Sequence, residues 1–115
     1  MDIAFILSAD EITTLLSHFP DHTRAGERFI NDALPNAGLC DLSSLAGKNL
    51  ATLTDGKLEL APVLRMAADA IARADSAVNN DGVWDIRSPW ICLRCEEYPY
   101  NDGYWKITPV NNEEE

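Results

Sequence analysis

The chain has 115 residues, 46% of them hydrophobic, which is enough for one hydrophobic core. Nineteen acidic and nine basic residues give a formal net charge of −10, which argues against nucleic acids and anionic membranes as partners because both attract cations. No apolar run approaches the roughly 20 residues that cross a bilayer, no basic signal-peptide start is present, and the three cysteines are an odd number, so we expect a cytoplasmic protein without a disulfide framework.

The first predicted element is a helix that begins after Ser8. Ser8 and Glu11 form the pattern of a capping box, in which each side chain accepts a hydrogen bond from the other residue's backbone N–H. Apolar residues then recur with helical spacing until Pro20 ends the helix. The residues of this apolar side are Ile12, Leu15, Leu16 and Phe19.

Two more short helices are predicted before the middle of the chain. The second runs from about Arg24 to Leu34 and ends before Pro35. The third is capped by Asp41 and ends near Gly47. The residues expected to face inward are Phe29, Ile30, Ala33 and Leu34 in the second helix and Leu42, Leu45 and Ala46 in the third.

The segment that follows changes from helical periodicity to the alternation of a β-hairpin. Asp55-Gly56 favours a two-residue turn, because both of its positions need positive φ. Alternation on the two sides of this turn gives the same register, so the pairing is specified twice. The predicted pairs are Ala51–Leu60, Thr52–Glu59, Leu53–Leu58 and Thr54–Lys57.

A longer helix is predicted after the hairpin. Pro62 suits its first turn, and the helical pattern continues to Val78. Arg65, Asp69 and Arg73 are four residues apart on its polar side and can form ion pairs. The opposite side is rich in alanine, which predicts that another element packs closely against it. An Asn-Asn-Asp-Gly sequence is expected to end the helix.

Three β-rich runs follow, at Val83–Arg87, residues 90–98 and Tyr104–Val110. The short turn sequences between them predict a three-stranded antiparallel meander. The predicted fold class is therefore α+β, with N-terminal short helices, a β-hairpin wing and a following helix in winged-helix-like order, and then the meander. We predict a single domain over residues 1–110 and a disordered acidic tail over residues 111–115.

Cys92 and Cys95 form a Cys-x-x-Cys sequence, a spacing found in metal and redox sites. In a strand, alternate side chains point to opposite faces, so these two thiols would point apart. His18 and His22 are separated by a proline and are not expected to share one helix face. We therefore predict no metal site and no cofactor, with Cys95 in the core and Cys92 half-exposed.

No glycine-rich phosphate loop, nucleophile elbow or metalloprotease motif is present in the sequence, and we predict a protein without enzymatic activity. Aromatic residues are concentrated in the C-terminal third, where Tyr98, Tyr100 and Tyr104 surround the last predicted turn. Amphipathic aromatic side chains are common anchors of protein interfaces. The three tyrosines are thus a candidate protein-binding site, and the alternative is that they only decorate an exposed turn.

The sequence LSSLAGKNLATLTDGKLELAPVLRMAADAI, residues 42–71, contains a short helix, an Asp-Gly hairpin and a Pro-initiated helix. It resembles a segment of the EspG-like accessory proteins of type VII secretion. Those proteins are much longer and have two related halves, of which this chain would supply one. The resemblance implies a cytoplasmic, non-enzymatic protein that binds another protein, and it assigns no functional residue.

Three functions follow from these observations as hypotheses. The first is a protein-binding accessory or chaperone-like module, linked by the resemblance to type VII secretion. The second is an acidic inhibitor, such as an immunity-type protein, and in both cases the partner is another protein. The third is a winged-helix regulator that binds DNA, for which only Lys48 and Lys57 flank the wing and which the net charge opposes.

Overall fold

A computed structural model describes residues 4–19, 21–41, 43–47, 50–98 and 103–110. One strand, three helices, a two-stranded hairpin, a fourth helix and four further strands follow one another along the described residues. In chain order they are β1 (Phe5–Ser8), α1 (Ala9–Ser17), α2 (Arg24–Ala33), α3 (Ser44–Gly47), β2 (Ala51–Thr54), β3 (Lys57–Leu60), α4 (Pro62–Ala72), β4 (Ser76–Asn80), β5 (Val83–Arg87), β6 (Cys92–Glu97) and β7 (Tyr104–Val110).

Seven strands form two antiparallel sheets within the described residues. Strands β2 and β3 make a separate hairpin, and the other five form one sheet in the order β1-β7-β6-β5-β4. The α+β class and the antiparallel meander at the C-terminal end are confirmed. The meander is longer than predicted, because β4 extends it on one side and β1 pairs with β7 on the other.

Alternate residues of the large sheet face a core that they share with α1, α2 and α4. Phe29 of α2 is fully buried in this core. Its ring lies edge-on to Trp84, with 5.4 Å between centroids, and to Trp105, with 5.8 Å. Edge-to-face arrangements of this kind contribute about 0.5–1.5 kcal/mol beyond area burial. The aromatic rings therefore join α2 to β5 and β7.

The capping box predicted at the start of α1 is present. The Glu11 N–H donates to Ser8 Oγ at 3.0 Å, and the Ser8 N–H donates to Glu11 Oε1 at 2.8 Å. The predicted apolar side of α1 is buried in the core, with Phe19 only partly so. Helix α2 begins at the predicted residue and ends at Ala33, one residue earlier than expected.

The hairpin of β2 and β3 has all four predicted pairs in the predicted register. Asp55 and Gly56 have φ values of 51° and 79°, which is the backbone that the two-residue turn needs. Ala51 is buried and belongs to the core cluster, whereas Leu53 is 53% exposed. The hairpin is thus attached to the core at its open end and reaches solvent at its turn.

The prediction that the long helix continues to Val78 is wrong. Helix α4 ends at Ala72, and Val78 lies in the strand Ser76–Asn80. Asp81 and Gly82 have φ values of 53° and 90°, so they form a second two-residue turn of the type that joins twisted strands. The residues expected to end a helix therefore form the turn of a hairpin, and all five residues of β4 pair with residues of β5.

The close packing predicted for the alanine side of α4 is confirmed, since its alanines at positions 67, 68, 70 and 72 are buried. Helix α3 is shorter than expected: Asp41 Oδ1 accepts from the Ser43 N–H at 2.9 Å, and the helix begins at Ser44. Leu45 is fully buried as predicted, whereas Leu42 and the predicted disordered tail lie outside the described residues. Among the described helices, none is long and apolar enough to cross a membrane.

Candidate functional site

Two of the three tyrosines predicted to form a binding site face each other at the base of the β6–β7 connection. The Tyr98 N–H donates to the Tyr104 carbonyl at 2.8 Å, and both residues are half-buried. Tyr100 lies outside the described residues. The structure therefore brings Tyr98 and Tyr104 together, but as part of the sheet rather than as freely projecting side chains.

The same connection is joined to the start of α1. The Ala9 N–H donates to the Gly103 carbonyl at 2.8 Å, and Gly103 has a φ of 81°. Between the connection, α1 and the chain after α2 lies a cleft of about 470 Å³, with Tyr104 and Glu97 on one side and Asp10 and Pro35 on the other. Of the two predicted tyrosines that the structure describes, Tyr104 lines this concave surface.

Cys92 and Cys95 lie on opposite faces of β6, as predicted. Cys95 is fully buried, and burial, with a smaller contribution from the charge of Asp85, raises the pKa of its thiol. The expectation that Cys92 is half-exposed is wrong, since it is only 7% exposed. Its register partners, Arg87 on β5 and Val110 on β7, stand on either side of it on the same face of the sheet.

The remaining candidate metal ligands are placed apart from the two cysteines. Cys40 is half-buried beside α1, where its N–H donates to Thr14 Oγ1 at 2.9 Å. His22 Nε2 donates to the Leu16 carbonyl at 2.7 Å, so this ring supports the connection between α1 and α2. In the part of the chain that the structure describes, no three His, Cys, Asp or Glu side chains are close enough together to hold a metal ion.

Among the aromatic residues that the structure describes, Trp90 is the one exposed to solvent. Its side chain is 44% exposed and lies in the turn between β5 and β6. Ser88 fixes this turn: its N–H and hydroxyl both donate to the Ile91 carbonyl, at 3.0 and 2.7 Å, and its Oγ accepts from the Ile91 N–H at 3.2 Å. The backbone on both sides of Trp90 is therefore held in one conformation.

The Trp90 ring is covered on one side by Arg73, which follows α4. The guanidinium carbon lies 5.5 Å from the ring centroid, within the range of a cation–π interaction. Arg73 is itself held by Asp69, with Nε–Oδ1 and Nη2–Oδ2 distances of 2.8 and 2.9 Å. These hydrogen bonds, together with the charge of Asp69, raise the pKa of Arg73. The predicted i, i+4 ion pair is thus confirmed for Asp69 and Arg73, and it orients the arginine over the indole.

A groove of about 580 Å³ begins at Arg73 and runs along the outer side of α4. It is lined by the apolar side chains of Phe19, Leu60 and Met66 and by charged groups of both signs, among them Arg65. Met66 is 41% exposed although it is apolar. We call Trp90, Arg73, Met66 and this groove the Trp90 surface.

The Trp90 surface combines a flat aromatic ring, a flexible thioether side chain and an arginine that is paired with the carboxylate of Asp69. Such groups bind other side chains by apolar contact, stacking and hydrogen bonding. The sequence pattern predicts a turn at Ser88-Pro89 and a strand from Trp90 onward, whereas the turn extends through Trp90 and the strand begins at Cys92. Comparison of the chain with protein-family models, with curated proteins and with solved structures found no match.

Proposed function

We propose that this protein is a non-enzymatic protein-binding module and that the Trp90 surface is its contact site. The observation that carries the proposal is that three residue types enriched in interfaces are connected at one exposed surface: Trp90 lies against Arg73, and Arg73 lines the same groove as Met66. Tryptophan and arginine are also the residues that most often dominate binding energy when they are replaced by alanine.

The arrangement is held in position before any partner binds. The turn at Ser88 fixes the backbone of Trp90, and the ion pair with Asp69 fixes the guanidinium above the ring. Ordering such side chains during association costs about 0.5–1.5 kcal/mol for each flexible group. A surface that is already ordered avoids much of this cost, which supports a role in recognition.

The net charge of −10 favours a partner with a basic surface, because opposite long-range charge accelerates association. Within this proposal the protein acts in the cytoplasm as an accessory or chaperone-like module. The resemblance of residues 42–71 to EspG-like proteins suggests the more specific hypothesis that it serves type VII secretion. That hypothesis requires a secreted protein as the partner.

A second candidate is an acidic inhibitor that neutralises a basic enzyme or toxin, and the same net charge favours it. The two candidates differ in what binding does to the partner: an inhibitor abolishes the partner's activity, whereas an accessory module keeps it soluble or delivers it. For the DNA-binding alternative, the hairpin exposes Lys57 beside Asp55 and Glu59, so it has no excess of positive charge to offer to phosphates.

The test compares the proteins that wild type, Trp90→Ala and Met66→Ala capture from extracts of the native host. The affinity of each captured protein, once purified, is then measured directly. Both residues are exposed, so these variants are expected to fold normally, which circular dichroism checks. A dominant contact residue contributes 2 kcal/mol or more, so Trp90→Ala is expected to weaken binding by about 30-fold.

The matched controls are Leu39→Ala and Leu53→Ala, which remove exposed apolar side chains that do not line the groove of the Trp90 surface. They are expected to leave the affinity unchanged. A purified partner that binds Trp90→Ala as tightly as wild type contradicts the assignment of this surface. If Tyr104→Ala abolishes the same interaction instead, the tyrosines at the β6–β7 connection are the contact site.

A further inference from the structure

Strand β4 ends the large sheet, and no described strand pairs with its outer edge. Edge strands usually carry a charged side chain, a proline or a bulge that prevents pairing with another chain. The β4 sequence, Ser-Ala-Val-Asn-Asn, has no charge and no proline, and its register with β5 is uninterrupted. Val78, at its centre, is 50% exposed although it is apolar. This edge is therefore suited to accept a further strand.

The backbone groups available at this edge follow from the hairpin geometry. The two-residue turn makes Asn80 and Val83 a hydrogen-bonded pair, and such pairs alternate along an antiparallel ladder. Ser76 and Val78 consequently direct their N–H and C=O groups to β5. Ala77 and Asn79 direct theirs to the outer edge, where a second strand at about 4.8 Å can bond to them.

Helix α2 lies beside the same edge and adds charge to it. Arg28 and Asp32 line a groove of about 320 Å³ together with residues 77–79 and Trp84. The two charged residues are one helical turn apart and exposed, and neither forms an ion pair with another described residue. The edge thus presents one positive and one negative group along a neutral strand.

We propose that the β4 edge pairs with the β4 edge of a second copy of this chain, antiparallel and about a two-fold axis near Val78. Ala77 then exchanges main-chain hydrogen bonds with the partner's Asn79, and Val78 packs against the partner's Val78. The two α2 helices lie side by side in opposite directions on one face of a continuous sheet. Arg28 of one copy therefore faces the partner's Asp32, and Asp32 of the first copy faces the partner's Arg28.

The charges favour a second copy over an unrelated extended segment. A two-fold axis turns one end of the β4 edge onto the other, so an edge with one cation and one anion is complementary to itself. The β4 strand itself carries no charge, and the like charges that the axis brings together, Asp75 and the partner's Asp81, lie just beyond its two ends. The groove beside β4 and the groove of the Trp90 surface have no lining residue in common.

Sedimentation velocity over a range of concentrations measures the dimerisation of wild type, Arg28→Asp, Asp32→Arg and the double variant with both changes. Each single change places like charges opposite each other at two symmetric positions and is expected to weaken dimerisation at least about tenfold. The double variant restores opposite charges and is expected to dimerise like wild type. An equal mixture of the two single variants is expected to form mixed dimers more tightly than either variant forms its own.

Arg24→Asp and Glu27→Arg are the matched controls, because they change the net charge equally on the same helix but lie outside the groove. They are expected to dimerise within about twofold of wild type. A wild-type chain that stays monomeric at millimolar concentration overturns the proposal. A double variant that dimerises no more tightly than the single variants also overturns it. Binding of an extended peptide at this edge by the monomer would also overturn it. Trp90→Ala dimerises normally if the proposal is correct, so the two proposals fail independently.

Discussion

Gly26 lies so close to Ala72 that a Cβ atom on the glycine would come 2.6 Å from the alanine carbonyl oxygen. Thr23, just before α2, donates its N–H to the same carbonyl at 2.9 Å and its hydroxyl to the Ala74 carbonyl at 2.6 Å. The last carbonyls of a helix have no partner within the helix. The start of α2 therefore satisfies the end of α4, and it can do so only because residue 26 has no side chain.

Gly26→Ala is expected to destabilise the protein by about 1–3 kcal/mol, because the contacting atoms belong to backbone that cannot move without disturbing α4. In a helix without this contact, alanine is more stable than glycine by roughly 1 kcal/mol. Gly47→Ala is the control, since a Cβ at position 47 meets no atom within 4 Å. Urea unfolding measures both, and equal effects would contradict the close approach.

Thr23→Val is expected to destabilise the protein by about 1–2 kcal/mol, because it keeps the shape of the side chain and removes the hydroxyl. That hydroxyl accepts from the Gly26 N–H at 3.1 Å and donates to the Ala74 carbonyl. Thr23→Ser keeps both hydrogen bonds and should lose much less stability. The arrangement is contradicted if urea unfolding finds the serine variant as unstable as the valine variant.

The fold could be predicted from the sequence where the signals are local. The capping box of Ser8 and Glu11 and the register of the first hairpin depend on residues a few positions apart, and both are present. Strand β1 could not be predicted in this way, because Phe5 pairs with Ile107 at the other end of the chain. Strand β4 was missed because its residues continue a helical pattern, and the competing signal was Asp81-Gly82.

The candidate site was harder to predict than the fold, since it depends on where elements end in space. The sequence identified the aromatic content of the C-terminal third, but alternation placed Trp90 inside a strand. The exposure of this ring follows from the turn at Ser88. Its contact with Arg73 follows from the end of α4 at Ala72, because Arg73 is the first residue after the helix. Neither feature is visible in a periodicity pattern.

Trp84, inside β5, and Trp90, in the turn after it, are expected to respond very differently to replacement. Trp84→Ala removes a buried ring that contacts Phe29, and it is expected to cost about 3–5 kcal/mol. Trp90→Ala loses the interaction with Arg73, worth about 0.5–1 kcal/mol at an exposed position, and the packing of a ring that is 44% exposed, so it is expected to cost less than Trp84→Ala. Thermal unfolding of the two variants checks this difference. A loss for Trp90→Ala as large as that for Trp84→Ala would show that Trp90 is part of the core.

The three thiols are expected to react with a water-soluble thiol reagent in the order Cys40, Cys92, Cys95. Cys40 is half-buried near the surface, Cys92 is 7% exposed, and Cys95 is fully buried. Only the thiolate reacts, so burial slows the labelling of Cys95 in two ways: it limits access of the reagent, and it raises the pKa of the thiol. Mass spectrometry of partly labelled protein gives the order, and early labelling of Cys95 would contradict the placement of β6.

The pKa of the Cys95 thiol also predicts how stability changes with pH. The folded protein keeps this thiol protonated in alkaline solution, because the core would leave a thiolate without hydration. In the unfolded chain the same thiol loses its proton near about pH 8.5. The stabilising effect of the protonated thiol is therefore complete below about pH 8.5, and it is lost as the pH rises further, by at most about 1.4 kcal/mol per pH unit.

Urea unfolding of wild type and Cys95→Ala between about pH 7.5 and about pH 9.5 measures this dependence. Cys95→Ala is expected to be less stable at neutral pH, because a cavity replaces a fully buried side chain. Its stability should fall less steeply with pH, because it lacks the group that only the unfolded chain ionises. The difference between the two proteins must therefore shrink as the pH rises. A difference that stays constant would show that the folded protein ionises Cys95 as readily as the unfolded chain does, which is incompatible with a fully buried thiol on β6.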